Sequence, residues 1–411
     1  MEVEVKGKKL KAAAKVLRTL SSKQKNEVLD EIKHALLENS QSIMTANDKD
    51  VVQAKKIGIS ESLIDRLSLS YARLESICNS IDVVIGLKDP VGVCSYGHTM
   101  ENGMELLKKT VPMGVISIIY ESRPNVTVDA VVLAIKAGNA ILLRGSSMAH
   151  NSNMAIVAAI KQGLSNVNIP SDAVMLIEDM NRDVVKQIIT ANEYIDLVIP
   201  RGGAELINMV VSNATVPVVE TGVGNCHLFI DESASMDMAL RIFENAKIQR
   251  PSVCNSIETL LVHENIARSF LGACVKDFDG VVKFLGCEET RKLIPCEPAT
   301  PSDFATEFLD YVIAVKVVKD IDEAIRHIEQ YSTGHSECIV TNNYENANKF
   351  TLHVDAACVY VNASTRFTDG GEFGFGCEMG ISTQKMHVRG PVGLDHLVSS
   401  KYIIHGDGQI R

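Results

Sequence analysis

At roughly 150 residues per domain, the 411-residue chain is long enough for two or three domains, and its formal net charge of −10 argues against a surface that gathers nucleic-acid phosphates. Hydrophobic residues at 46% and charged residues at 22% suit a chain that buries large cores, which sets disorder aside. Aromatics at 5%, with no Trp, leave little for stacking single strands.

The N-terminus, Met1-Glu2-Val3-Glu4-Val5-Lys6, carries no apolar run of the secretory kind. No stretch approaches the roughly 18 apolar residues that span a bilayer, so no membrane partner is expected. The expected setting is cytoplasmic and reducing, with the ten cysteines as thiols. None is spaced C-x-x-C, which removes the zinc-knuckle and thioredoxin-like readings; no metal is expected. Most of the ten are expected to pack as small hydrophobes.

Roughly the first 80 residues read as helical. Ser21-Ser22-Lys23-Gln24 fits a capping box, and Val28, Ile32, Ala35 and Leu36 follow on one helical face. Residues 101–110 are more polar and read as a projecting hairpin. From about residue 114, short aliphatic runs at 115–119, 140–143, 196–199 and 216–219 alternate with helical patterns at 126–137, 154–164, 184–190 and 204–211. Gly138 stands where a helix would stop. A second series places strands at 257–262, 311–318, 338–341 and 358–361, with helices at 239–247, 266–275, 321–331 and 346–352. Continuous apolar strands between helices imply parallel sheets covered on both faces. The boundary between the two series falls near 230–245.

G-x-G-x-x-G and G-x-x-x-x-G-K-[ST] are both absent, so the usual Gly-rich phosphate turns are missing. Polar clusters stand instead after the expected strands, where parallel α/β sheets place ligands. The first is Tyr120-Glu121-Ser122-Arg123-Pro124-Asn125, in which Asn125 is either a helix N-cap or a functional amide. Arg144-Gly145-Ser146-Ser147 is a phosphate site or an ordinary polar loop. In Arg201-Gly202-Gly203 the glycines permit close approach to a ligand or only a tight turn. Glu220 in Glu220-Thr221-Gly222-Val223-Gly224 is a general base or a loop charge. Cys254 follows a helix within a polar turn, with Arg250 four residues before it. Nearby positive charge favours a thiolate, which is the nucleophilic form. Cys274, Cys338 and Cys358 lie in apolar runs and read as core.

The order of these clusters, together with residues 112–116 and the long tail Asn362-Ala363-Ser364-Thr365-Arg366-Phe367-Thr368-Asp369-Gly370-Gly371-Glu372-Phe373-Gly374, resembles the aldehyde dehydrogenase superfamily. The tail is similar to that of its glutamyl-phosphate-reducing branch. The resemblance covers essentially the whole chain, and its implications are specific. The fold would be α/β, with two Rossmann-like parallel αβ domains plus a small oligomerisation hairpin. Residues 1–92 and 114–235 would bind NADP, 236–384 would carry the nucleophile, and 93–113 with 385–411 would form the hairpin and tail. Cys254 would be the nucleophile. Asn125, with the Cys254 N–H, would form the oxyanion hole. Glu220 matches the base of hydrolytic relatives, and here could deprotonate the thiol, contact the cofactor or do neither. Arg144, Ser146, Ser147, Gly202, Gly203, Thr221, Gly222, Glu307 and Phe308 would bind the cofactor. Ser147 replaces a Glu common in NAD-preferring relatives, which together with Arg144 favours NADP(H). Arg123, Arg250, Thr365 and Arg366 would meet an anionic acyl phosphate.

The implied reaction is reduction of L-glutamyl 5-phosphate to L-glutamate 5-semialdehyde through a Cys254 thioester, on the route to proline. A homo-oligomer, dimer or tetramer, and glutamate 5-kinase are the implied partners. The alternative within the superfamily is an NAD(P)-dependent oxidation of another semialdehyde with water as acceptor. A non-catalytic module of the same fold, and a thiol hydrolase with a His partner, are the readings from other classes.

Overall fold

The computed structural model describes residues 2–121 and 123–411; Ser122, in the first polar cluster, lies outside the described residues. Contacts divide the chain into two compact units. The first runs to Thr221 and takes in Gly374–Gly380 and Val392–Arg411; the second comprises Gly222–Phe373 and Ile381–Pro391. The change of unit at 221/222 lies upstream of the 230–245 stretch suggested by the alternation of elements.

The first unit opens with five helices, Glu2–Leu17, Ser22–Glu38, Ser40–Lys56, Glu61–Leu67 and Tyr71–Gly86. The expected capping box is present: Gln24 N–H donates to Ser21 Oγ and Ser21 N–H donates to Gln24 Oε1. Val28, Ile32, Ala35 and Leu36 then face inward, nearly fully buried, and the helix packs on His150–Asn166. Asp50 caps that helix from a distance. Its carboxylate accepts from Ser152 N–H at 2.8 Å, Ser152 Oγ at 2.6 Å and Asn151 Nδ2 at 2.7 Å.

Four parallel strands form the sheet of this unit, in the spatial order Val174–Leu176, Ala140–Arg144, Val115–Tyr120, Leu197–Arg201. All six residues of Val115–Tyr120 are buried, as a strand covered on both faces requires. The chain moves outward from it on one side and then returns to its other side. The strand order therefore reverses between the ends at Tyr120 and Arg201, and such a reversal opens a crevice at the carboxyl edge. Gly138, at φ +77°, ends the helix Pro124–Lys136 where the sequence placed the stop.

The expected strand at 216–219 does not form. Only Val218 bridges to Val198, because Pro217 has no N–H to give to a ladder. A separate antiparallel sheet joins Cys94–Thr99, Glu105–Pro112 and Val398–His405, with Glu105–Pro112 central. No residue of these three strands is fully buried, and Tyr96, Tyr402 and Ile404 are each more than half exposed.

The second unit holds seven parallel strands, in the order Glu297–Pro298, Lys283–Gly286, Val312–Val318, Ile257–His263, Cys226–Ile230, Ser336–Val340, Cys358–Val361. Alternate residues feed two cores. Leu228, Leu260, Val315 and Val340 pack with Phe243 and Phe270 of the helices Met236–Lys247 and Glu264–Phe278. Phe229, Leu261 and Ile339 pack on the other face with Ile325 and Phe350 of Ile321–Tyr331 and Tyr344–His353.

No two cysteines are joined by a disulfide. Cys274 and Cys338 are core residues as expected, but Cys358 is only half-buried because its strand is the edge of the sheet. Cys94, on the edge of the antiparallel sheet, is exposed rather than packed. Cys287, Cys296 and Cys377 are also only partly covered. No helix of the described residues is long and apolar enough to cross a membrane.

Candidate active site

The first unit gathers its polar clusters at the carboxyl edge of the four-stranded sheet. Asn125 is not a cap. The helix starts at Pro124 with Arg123 as N-cap residue, so Asn125 lies inside the first turn, half-buried, with Nδ2 at 3.2 Å from Asp129 Oδ2. Proline at the first helical position suits the chain entry, since its missing N–H has no partner there. Arg144 ends its strand half-buried and donates to the carbonyls of Gly145 and Met180, each at 3.1 Å. Its Nε is buried without a hydrogen-bond partner. Burial lowers the basicity of this guanidinium; Asp179 opposes that effect and Arg182 adds to it. Ser146 leads into the short turn Ser147–Ala149, where Ser147 is exposed.

Gly203 is the N-cap residue of Ala204–Asn213, and its N–H donates to Glu121 Oε2 at 3.3 Å. A Cβ on Gly202 would stand 2.8 Å from the same carboxyl group. Thr221 is buried, its hydroxyl donating to Pro200 O at 2.5 Å, and Glu220 just before it is half-buried.

In the second unit Cys254 sits in the turn between Met236–Lys247 and Ile257–His263, partly exposed. It therefore stands at the amino edge of the seven-stranded sheet. Contacts from several segments hold the turn. Lys247 and Glu258 form a fully buried ion pair at 2.6 Å that closes its base. Burial pushes the Glu258 carboxyl up to about 7, against the pull of Lys247 and the Leu309 N–H. Thr365 Oγ1 donates to Asn255 O at 2.7 Å. Asn255 Nδ2 donates to Thr368 O at 2.9 Å, and Arg366 donates to the Asn255 side-chain oxygen and to Gln249 Oε1. Cys226 Sγ lies 3.2 Å from the Cys254 carbonyl oxygen.

Arg366 is half-buried beside Arg250, and Cys254 is within electrostatic range of it. Burial first, then Arg250, lower its basicity; Asp369, Cys254 and Glu372 oppose them. Arg250 is exposed and within electrostatic range of Arg366, which is itself within range of the thiol. Thr365, in contrast, is fully buried with its hydroxyl committed to Asn255, which makes it a support of the turn. Glu307 is tied in as well, accepting from Gly224 N–H at 2.8 Å, while Phe308 is half-buried in the irregular stretch before Val312–Val318. Gly222 donates to Ile381 O at 2.8 Å and packs against Thr383.

The supports from Gly224, Cys226 and Asn255 escape a reading of the sequence. A Cβ on Gly224 would overlap the Cys254 carbonyl. The only hint is the short Gly222-Val223-Gly224 run. Among the described residues no group of three or more His, Cys, Asp or Glu is arranged to hold a metal ion.

The family model described as "Aldehyde dehydrogenase family" matches residues 2–283 and 304–394. The chain belongs to the aldehyde dehydrogenase family. It is 56% identical over 404 residues to the gamma-glutamyl phosphate reductase of Alkaliphilus oremlandii, covering 98% of each chain. A crystal structure of gamma-glutamyl phosphate reductase from Thermotoga maritima matches with a TM-score of 0.96 at 52% identity, over 100% of both chains. An acetylating aldehyde dehydrogenase from Geobacillus thermoglucosidasius shares the fold, with a TM-score of 0.75 at 17% identity, over 100% of this chain and 97% of that one.

Proposed function

We propose that this enzyme reduces L-glutamyl 5-phosphate with NADPH to L-glutamate 5-semialdehyde and phosphate, the second step of proline biosynthesis from glutamate. The observation that carries the reading is full-length likeness, at 52–56% identity, to reductases of that name. The clamped turn around Cys254 supports it.

In this reading the Cys254 thiolate attacks the acyl carbon. The carbon–oxygen bond to phosphate breaks, phosphate leaves with the electron pair, and a thioester remains on Cys254. The cofactor, when bound, supplies the hydride that reduces the thioester carbon. Collapse of the resulting thiohemiacetal returns the thiolate and frees the aldehyde. Each tetrahedral species carries an oxyanion. Asn125 Nδ2 has a second hydrogen beyond the one facing Asp129, and it donates to that oxyanion. Arg250 and Arg366 hold the departing phosphate, and Arg123 meets the substrate's charge. Glu220 has no water-activating role here, because hydrolysis would destroy the thioester.

The residues at the carboxyl edge of the first sheet fit an anionic dinucleotide. Arg144 has a buried Nε without a partner, and the exposed Ser147 places no carboxylate against a 2′-phosphate. The proposed preference is therefore NADP(H). Self-association through 93–113 and 385–411, receipt of the labile acyl phosphate from glutamate 5-kinase, and a cytoplasmic setting complete the proposal.

The test is oxidation of glutamate 5-semialdehyde by NADP with and without inorganic phosphate. Phosphate-dependent turnover that Cys254→Ser abolishes is expected. Turnover that proceeds equally with water as acceptor would overturn the reading in favour of a hydrolytic aldehyde oxidiser.

A further inference from the structure

We propose that the buried Cys226 thiol is a positioning residue for Cys254, gripping its carbonyl so that the nucleophilic side chain keeps one orientation. The inference rests on the assignment of Cys254 as nucleophile. Cys226 is fully buried at the head of the strand Cys226–Ile230. Its Sγ lies 3.2 Å from the Cys254 carbonyl oxygen and 3.6 Å from His335 Nδ1. The carbonyl can only accept, so the thiol hydrogen points to it. His335 Nδ1 lies 2.8 Å from Ser336 Oγ, which lies 2.7 Å from Thr368 Oγ1, so the thiol closes a chain of buried polar groups behind the turn. Burial raises the Cys226 thiol well above its ordinary value, which keeps the hydrogen in place.

A carbonyl held on one side only can still swing. Gly224, two residues before Cys226, packs against the same carbonyl, and any side chain there would collide with it. Gly224 is held in turn by Glu307 at 2.8 Å. The next carbonyl, that of Asn255, is fixed by Thr365 at 2.7 Å. Consecutive carbonyls are thus fixed from separate segments, and the anchored 254–255 peptide plane, which contains the Cys254 Cα, limits how far the Cα–Cβ bond can swing. Misplacement of a reacting group by about 1 Å costs on the order of a hundredfold in rate.

The experiment compares Cys226→Ser, which keeps a donor, with Cys226→Val, which fills the volume without one. Phosphate-dependent turnover and thermal melting are measured on the full chain. In C226V, kcat is expected to fall about tenfold with both KM values within about twofold, the signature of a lost contribution to the chemical step. C226S is expected to recover most of that loss. Wild-type kcat in C226V overturns the inference, as does an equal fall in both variants that tracks melting temperature. If C226V does not fold, Cys226→Ala replaces it under the same criteria. Turnover surviving in Cys254→Ser would instead sink the nucleophile assignment itself, whatever the Cys226 variants do.

Discussion

Asn125 shows how a residue's job depends on one position along a helix. At the N-cap, Asp would replace Asn without penalty. Inside the first turn the amide is released from capping, and Nδ2 donates to Asp129 Oδ2 one turn on, which leaves its second hydrogen for a ligand. Asn125→Ala is accordingly expected to lose about 100- to 1000-fold in kcat, as for an oxyanion-hole donor, with a melting temperature close to wild type. A parallel collapse of stability would return the residue to a structural role. His327 is a contrasting buried group, nearly inaccessible, its imidazole pushed down to about 3 by burial, with His227 and Lys316 adding to the effect. The folded state resists protonating it, whereas the unfolded state takes a proton near 6.5. Its stability contribution is therefore complete above about 6.5 and is lost as pH falls toward 3, at up to about 1.4 kcal/mol per pH unit. Urea unfolding at pH 5 and pH 7 should show that gap narrowing in His327→Phe; an unchanged gap would exclude His327 as the source.

Elements carry the machinery through a few contacts between their ends. The ion pair Lys247–Glu258 joins the end of one helix to the start of the next strand, with the nucleophile's turn between them. Lys247→Met leaves a buried carboxyl without its cation and should cost about 3–5 kcal/mol by urea unfolding. Replacing both with apolar residues should cost much less, and an equal cost for the single and double variants would contradict the pair's coupling. Asp50→Ala should likewise destabilise by about 1–3 kcal/mol, because four donors at the start of His150–Asn166 lose their acceptor. Elements with sustained periodicity were legible in the sequence, from Pro124–Lys136 to Tyr344–His353. The strands Val174–Leu176, Cys226–Ile230 and Lys283–Gly286 were not, since a run of three to five residues is read as a strand only where its apolar residues and flanking turn signals stand out. At 216–219 the aliphatic residues suggested a strand, and the missing N–H of Pro217 decided otherwise. The polar clusters that frame the site were legible because strand ends and turns concentrate them. The contacts of Cys226, Gly224 and Thr365 with the turn were not, because each depends on positions remote in sequence brought together by the sheet.

For the whole molecule, a net charge of −10 means that anionic ligands must be met by local cations. Arg144 lies at the carboxyl edge of one sheet; Arg250 and Arg366 lie at the amino edge of the other. The three-stranded antiparallel sheet buries none of its residues fully, and its exposed Tyr96, Tyr402 and Ile404 are suited to meet another copy. If copies associate through this sheet, as proposed above, Tyr402→Lys combined with Ile404→Lys yields a smaller species in light scattering; an unchanged mass would count against this surface. The same sheet has a consequence for synthesis. Its central strand Glu105–Pro112 waits for Val398–His405, and Asn139 donates to the carbonyl of Leu397 at 2.8 Å. On a ribosome all of the second unit emerges before those residues do. The unit translated first is thus completed last, and nascent chains halted before residue 392 should expose an unpaired strand edge to proteases and chaperones.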